Sequence, residues 1–368
     1  MVFPSNITTS FKVLVRCFTY NQSQYIEDAL NGFAMQQTNF PFVCLVMDDC
    51  STDGEQEVIK AYLDRECDMS KAEFFEDDTT TTTLVPHRTN VNCTFAAYLL
   101  KKNLHKVKGA KMAYVTPWRE HCEYEALCEG DDYWIDPLKL QKQVNFLEKN
   151  PECGFCYTDV YTCNAEGVIN KSCLLKERIP PKTFEEQLIS SSYMAPLTWM
   201  YRQELVTCFE SNKLFTDGTF AMSLEFFQHT CPFFMDDVTG VYRVHDSGAT
   251  SQKDPVKYFK YLRGIFDAQL YYCSKYSCSQ ELADRIKVQT YTDFMLPALE
   301  AHDQSFIDEA IDFYRGKGMD MRWFIDRCST YVGYHKQLES IRRSKAYRLG
   351  KKILLPMSKV KQMINRKK

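Results

Sequence analysis

The stretch "FPFVCLVMDDCSTDGEQEVIKAYL", Phe40 to Leu63, decides the fold. Phe42–Met47 is a continuous apolar run, the pattern of a strand covered on both faces inside a parallel sheet. Two aspartates, Asp48 and Asp49, end it. Thr52-x-x-Glu55 then has the spacing of a capping box, which predicts a helix running through Leu63. The same plan stands just upstream. "FKVLVRCF" (Phe11–Phe18) is β-rich and gives way to the polar loop "TYNQSQ", and Tyr25–Met35 places Ile26, Ala29, Leu30 and Phe33 on one helical face. Strand, helix, strand, helix implies an α/β fold with a mainly parallel sheet flanked by helices.

Working outward, "AEFFED" reads as a short strand, "DDTTTTTLVPHRTN" as a low-complexity loop and Thr94–Lys106 as a helix. "AYV" and "EALCEG" read as strand pieces. Asp136 and Pro137 have the chemistry of an N-cap and a first helical residue, with Leu140, Val144 and Leu147 recurring on the face of the helix that follows. "GFCYTDVYTC", "APLTWMYR" and "FFMDDVTGVYRVH" read as β segments, and Phe220–His229 as a helix. From Pro255 to about Leu355 the chain reads as consecutive helices. The expected organisation is an α/β domain over 1–250, a helical region over 251–340 and a basic tail over 341–368.

Composition sets the bounds. The 368 residues are 45% hydrophobic and 25% charged, a globular balance with room for a sizeable core. The net charge of -3 hides an asymmetry: Ile341–Lys368 carries eleven Lys or Arg and no acid, leaving 34 basic against 48 acidic residues in the rest, a net -14. Sixteen cysteines fall mostly inside apolar runs, the pattern of reduced buried thiols and a reducing compartment. The lone CxxC, Cys153–Cys156, has no second pair to make a zinc site. "MVFPSNITTS" lacks the form of a signal peptide, and no run of about eighteen apolar residues exists to span a bilayer, so the expected location is cytoplasmic.

The acidic residues carry the chemistry. Asp131 and Asp132, in "ALCEGDDYWIDPLKLQKQ", lie after a strand and before a helix, at the carboxyl edge where open α/β sheets bind ligands. Adjacent carboxylates repel unless something offsets their charge; a hard dication such as Mg²⁺ or Mn²⁺, shared with substrate phosphates, meets that need, and Gly130 permits the turn. A solvated Asp-Asp turn is the plain alternative. Asp49 has its own alternative as a local cap.

Taken together, "VRCFTYNQSQYIEDALNGFAMQQTNFPFVCLVMDDCSTD" and "EGDDYWIDPLKLQKQVNFLEKNPECGFCYTDV" resemble the inverting glycosyltransferases of family 2, which have the GT-A fold, and "VYRVHDSG" resembles the end of the catalytic domain in bacterial cell-surface polysaccharide enzymes. The resemblance covers about 240 residues. It implies transfer of a sugar from a nucleotide-diphospho-sugar, most simply a UDP-sugar, to a hydroxyl of a glycan or lipid-linked acceptor. Position by position, it implies that Phe18, Thr19, Tyr20 and Asn21 line the nucleotide. Asp49 would accept from the base, Asp131 would lie near the ribose or donor sugar, and Asp132, with His245, would hold Mn²⁺ or Mg²⁺ against the diphosphate. Arg88, with Asn90, is a further candidate for the nucleotide, although a solvated loop is its alternative.

Inverting transfer also needs a general base to take the proton of the attacking hydroxyl. Asp217 and Glu225, in "FTDGTFAMSLEFF", are the candidates, Asp217 being preferred although its Asp-Gly order reverses the family's. Trp134 and Trp199 are core residues or sugar-stacking platforms. Two rival readings stand beside this one. A nucleotidyltransferase would also use carboxylates and Mg²⁺, but it needs a Gly-rich, basic phosphate loop, and "CFTYNQSQ" has no glycine. A catalytically inactive nucleotide-sugar-binding protein would keep the acidic pair without a working base. The tail, which interleaves cations with Ile353, Leu354, Leu355, Val360, Met363 and Ile364, fits an anionic membrane surface and makes the protein a candidate peripheral membrane protein; the acidic body argues against nucleic acid.

Overall fold

The structure is a computed structural model. It describes residues 10–320 except 106, 108, 172–178, 191–193, 209–214, 216 and 246–253, together with scattered positions between 322 and 337. The chain divides into two compact units, one of Met1–Ser251 with Asp267–Cys278 and one of Gln252–Phe266 with Ser279–Lys368.

In the first unit, β1 (Val13–Thr19), α1 (Ile26–Ala34), β2 (Phe42–Asp48) and α2 (Glu55–Glu66) follow the order expected from the sequence. Next come β3 (Glu73–Glu76), β4 (Thr80–Pro86), β5 (Cys93–Leu100), α3 (Ala110–Arg119), β6 (Tyr124–Leu127), β7 (Tyr133–Trp134) and α4 (Lys139–Lys149). Then follow β8 (Phe155–Asn164), β9 (Ile169–Asn170), α5 (Phe184–Ser190), β10 (Met200–Arg202), α6 (Gly218–His229) and β11 (Pro232–Val244). The strands form one mixed sheet in the order β3-β4-β5-β2-β1-β6-β10-β8-β11-β7, with β9 on β8. Its centre, β5-β2-β1-β6, is parallel throughout, and β10 enters antiparallel to both β6 and β8. Ile26, Phe33, Ile59, Tyr62, Leu140 and Leu147 of α1, α2 and α4 cover one sheet face; Tyr114, Val115 and Trp118 of α3 cover the other. Because β2 is sandwiched, all seven of its residues are buried.

Several expectations are corrected. Thr94–His105 is not helical: Cys93–Leu100 is β5, buried on both faces, and its Ala96-Ala97 pair mimics a helical pattern only because both sides are apolar, while Lys106 lies outside the described residues. The threonine-rich stretch forms β4 rather than a loop, as β-branched side chains favour strands. "AYV" lies in α3, not in a strand. In "APLTWMYR" only Met200–Arg202 is a strand, after a single 3₁₀ turn at Pro196–Thr198. The helix after Asp136 starts at Lys139; the Asp136 carboxylate instead accepts the backbone N–H of Leu138 at 2.9 Å. The capping box is absent: α2 starts at Glu55 behind Gly54, which has a left-handed φ of 89°, and no side chain caps it.

α7 (Pro255–Lys275) contributes its first part to the second unit and its last part to the first. The second unit also holds α8 (Gln280–Ala301) and α9 (Gln304–Gly316), N-capped by Ser279 and Asp303. Phe259, Phe266, Tyr291 and Phe306 pack edge to face in its core. Arg263 pairs with Glu309 at 2.6 Å. No described helix is long and apolar enough to cross a membrane. The tail over 341–368 lies outside the described residues.

Candidate active site at the carboxyl edge of the sheet

β1, β2 and β6 run parallel, so the loops that leave them gather at one edge: residues 20–25, 49–54 and 128–132. A buried carboxylate ties the first two together. Glu55 takes a short hydrogen bond from the Thr19 hydroxyl, one from the Gln22 N–H at 2.8 Å and one from the Ser51 hydroxyl at 2.9 Å. Burial raises its pKa against the pull of those three donors. Asn21, at a left-handed φ of 54° that asparagine tolerates, accepts the Thr52 N–H at 2.8 Å. The third loop rests on this junction. A Cβ on Gly130 would come within 2.2 Å of Thr19 Oγ1 and 2.6 Å of Gln22 Oε1, so glycine is required there for close approach rather than for the turn itself.

The strand-end pair of β2 is enclosed. Asp48 accepts from the Ser51 N–H and from Gln56, and its second oxygen is buried with no partner among the described residues. Asp49 is 1% exposed; its carboxylate takes the Leu104 N–H at 2.6 Å and meets Lys111 Nζ at 3.1 Å. The same Lys111 nitrogen lies 5.2 Å from the Phe18 ring, which also carries the Arg16 guanidinium at 4.8 Å. Phe18 is thus a half-buried aromatic face bordered by cations, and Tyr20 stands exposed beside it.

Asp131 and Asp132 separate sharply. Asp132 turns inward, 3% exposed, and accepts the Arg243 backbone N–H at 2.8 Å; burial and then its neighbour Asp131 raise its pKa. Asp131 is more open, with Oδ2 2.9 Å from His245 Nε2. Arg243, on β11, braces the turn: its Nε donates to the Asp131 carbonyl and its outer nitrogen to Asp28, both at 2.8 Å, while its guanidinium lies over the Tyr25 ring. Of the expected metal pair, the structure therefore leaves Asp132 as an inward brace, and Asp131 as the partner of His245.

Glu129 was not foreseen. It is reached by solvent yet crowded by protein, as befits a group lining a cleft, and burial, Asp131 and Asp217 push its carboxyl up to about 7 against Arg16 and Lys111. The legible signal was its place beside the Asp131–Asp132 pair, one residue before the Gly130 turn. The influence of Asp217 on Glu129 also ties the N-cap of α6 to this edge. Asp217 Oδ1 accepts the Phe220 N–H at 2.9 Å and the Thr219 hydroxyl at 2.6 Å.

The other candidates are elsewhere or occupied. Glu225, fully buried in α6, is held by Lys275 at 2.8 Å and by the Tyr276 hydroxyl. Arg88 lies at the amino edge, where its guanidinium donates to the Cys67 carbonyl at 3.0 Å, and Asn90 holds the Ala34 and Gln36 carbonyls. Trp134 and Trp199 are core residues; the Trp134 indole donates to the Leu197 carbonyl.

Comparisons with known proteins agree with this architecture. Residues 17–73, which hold the first loop, the Asp48–Asp49 pair and Glu55, match the family described as Glycosyl transferase family 2. The uncharacterized protein Rv1520 of Mycobacterium tuberculosis is 32% identical over 177 residues, 48% of this chain and 41% of that protein. The putative teichuronic acid biosynthesis glycosyltransferase TuaG of Bacillus subtilis is 26% identical over 152 residues, 41% of this chain and 48% of that protein. The chain thus matches less than half the length of each of these curated relatives. Among solved structures, S. aureus TarS 1–349 in complex with UDP-GlcNAc has a TM-score of 0.53 at 18% identity, covering 89% of this chain and 92% of that one, which speaks for a shared fold. Residues 17–73 are thus similar to glycosyltransferase family 2, and the chain shares the fold of TarS 1–349.

Proposed function

We propose that the protein is an inverting glycosyltransferase that moves a sugar from a nucleotide-diphospho-sugar, most simply a UDP-sugar, to a hydroxyl of a glycan or lipid-linked acceptor in bacterial surface-polysaccharide synthesis. The observation that carries this is the gathering of the loops after β1, β2 and β6 at the carboxyl edge, with Asp131 paired to His245 and the charges of Asp131 and Asp217 both acting on Glu129. In this reading Phe18, Tyr20 and Asn21 border the nucleotide, with Thr19 fixing the loop from below. Asp49 and Lys111 form its base-binding end.

Among the described residues no cluster of three or more His, Cys, Asp and Glu side chains could hold a metal alone. One carboxylate and one imidazole nitrogen within 2.9 Å nevertheless fit a Mg²⁺ or Mn²⁺ ion that takes its remaining ligands from substrate phosphates and water. Asp131 and His245 would hold it, and Asp132 would act through Arg243 in place of the direct contact its sequence position suggested. Such an ion offsets charge on the departing diphosphate. Asp217 accepts the proton of the attacking hydroxyl. Glu225, already neutralised by Lys275, is the weaker candidate for that task. The basic tail would bring the enzyme to an anionic membrane surface where lipid-linked acceptors reside.

The reading is tested by thermal shift with UDP-, GDP- and CDP-sugars, with and without Mn²⁺. Expected is a rise in melting temperature with one nucleotide class that depends on Mn²⁺ and is lost in Asp131→Ala. No stabilisation by any nucleotide-sugar would overturn the proposal.

A further inference from the structure

Three pairs of cysteines stand close enough among the described residues for one thiol to raise the pKa of the other: Cys44 with Cys93, Cys273 with Cys278, and Cys153 with Cys231. They differ in access and in what they would link. Cys44 and Cys93 are both fully buried on neighbouring strands of the core. Cys273 and Cys278 close only a short turn at the end of α7, where the Cys278 N–H already donates to the Cys273 carbonyl at 2.9 Å. Cys153 and Cys231 stand at the feet of β8 and β11, which run parallel from the pair Phe155 and Pro232. Cys231 is exposed, whereas Cys153 is 4% exposed.

The strand feet are fixed around these two thiols. The Gly154 N–H donates to Thr230 Oγ1 at 2.6 Å, and the Thr230 hydroxyl donates to the Glu152 carbonyl at 3.2 Å. The backbone on both sides of Cys153 is therefore tied to the residue that precedes Cys231, which keeps the two strand feet side by side. The CxxC partner is not a competitor in this arrangement: Cys156 is fully buried and its thiol bonds with Gln143.

We propose that Cys153 and Cys231 form a reversible disulfide site, with Cys231 as the entry thiol and Cys153 as the resolving thiol, which takes a low-molecular-weight disulfide as its oxidant. In the first step the Cys231 thiolate attacks one sulfur of the small disulfide. A protein–small-molecule S–S bond forms, the original S–S bond breaks, and one small thiolate leaves and takes up a proton. In the second step the Cys153 thiolate attacks the Cys231 sulfur, the mixed disulfide breaks, and a second small thiol leaves. The two protein thiols are oxidised by two electrons and the small disulfide is reduced to two thiols. Burial, and then Cys231 itself, hold the Cys153 thiol up to about 11. The part due to Cys231 ends once Cys231 has reacted, which favours the second step.

The link would enclose residues 154–230, which include β8, α5, β10 and α6 with the Asp217 cap. A loop of that length restricts the unfolded chain strongly, so the oxidised protein gains stability in the segment that carries the candidate base.

The test incubates the full chain with glutathione and glutathione disulfide at graded ratios, blocks free thiols with an alkylating agent and maps peptides by mass spectrometry. Expected in the wild type is a Cys153–Cys231 link, reversed by dithiothreitol, with a melting temperature several degrees above that of the reduced protein. Cys153→Ala should instead retain one glutathione on Cys231, and Cys231→Ala should acquire neither the link nor the adduct. A wild-type protein that retains the glutathione adduct unresolved, that links Cys153 to Cys156, or that forms no bond would overturn the proposal. Circular dichroism of the two alanine variants checks that they fold, and the wild-type map decides the matter without them.

Discussion

Single residues show what neighbours in space do to a side chain's ordinary chemistry. Asp217 and Glu225 share a helix, but one caps its start near Glu129 and the other is buried against Lys275. Asp217→Asn keeps an oxygen for the Phe220 N–H and removes only the basic carboxylate. It should lower kcat by about a thousandfold with donor affinity nearly unchanged, as read by turnover assays beside calorimetry. Glu225→Gln should instead lower the melting temperature, since it leaves the half-buried Lys275 without its counter-charge. Equal loss of kcat in both variants would count against Asp217. Lys139 makes a second case. It is fully buried, with its ammonium on Gln143 Oε1 at 2.7 Å and 4.4 Å from the Trp134 ring. Burial lowers its pKa from 10.5 to about 7, only partly opposed by Cys156, Cys128 and Asp136. Between those two values the unfolded chain binds a proton that the folded chain does not. Stability therefore rises with pH over this window, by up to about 1.4 kcal/mol per unit, and the charge penalty is greatest below pH 7. Lys139→Met should be more stable than wild type at pH 6, by about 1–3 kcal/mol, with the gap closing towards pH 10. Urea unfolding of both proteins across that range measures it, and a gap independent of pH would contradict the assignment.

Among elements, the three loops at the carboxyl edge behave as one junction. Glu55 opens α2, yet its carboxylate serves the Thr19 and Ser51 loops, and Gly130 presses the Asp131 turn against Thr19. Gly130→Ala must push Thr19 or Gln22 aside, because a Cβ cannot sit 2.2 Å from an oxygen. Expected is a drop in nucleotide affinity of about tenfold or more, with a stability loss of about 1–3 kcal/mol. Glu55→Gln replaces an all-acceptor group by one that must donate on one side, where the Gln22 N–H or a hydroxyl also points. It should weaken nucleotide binding in the same direction, and calorimetric titration with UDP and Mn²⁺ would read both. Unchanged affinity in both variants would mean that the junction does not shape the cleft.

For the whole molecule, charge is the organising quantity. A body of net -14 is repelled by an anionic bilayer, so attachment would have to come from the eleven cations over 341–368. Such attachment weakens with salt, as the Debye length falls from about 10 Å at 0.1 M to about 3 Å at 1 M. Co-sedimentation with anionic and neutral vesicles, using the full chain and a chain ending at Ser340, should show binding only for the full chain on anionic lipid. Equal binding by both chains would remove the tail from the account.

The sequence by itself determined the parallel centre of the sheet. A strand buried on both faces is built mainly of apolar residues, and β2 announces this in six consecutive ones, Phe42–Met47. It also marked the loops that end those strands and the turn at Asp131–Asp132, because glycine and adjacent acids are local signals. It misread β4 and β5, where a threonine run and an alanine pair have no distinctive period until neighbouring strands bury them. Only the tertiary structure decided which of two adjacent aspartates faces His245 and which turns to Arg243, a difference of one residue in sequence and of opposite sides in space. It alone joined Asp49 to Lys111 and Arg243 to Asp28. Each of these contacts spans dozens of residues along the chain, and side-chain proximity at that separation is set by how the sheet and helices pack rather than by any local preference.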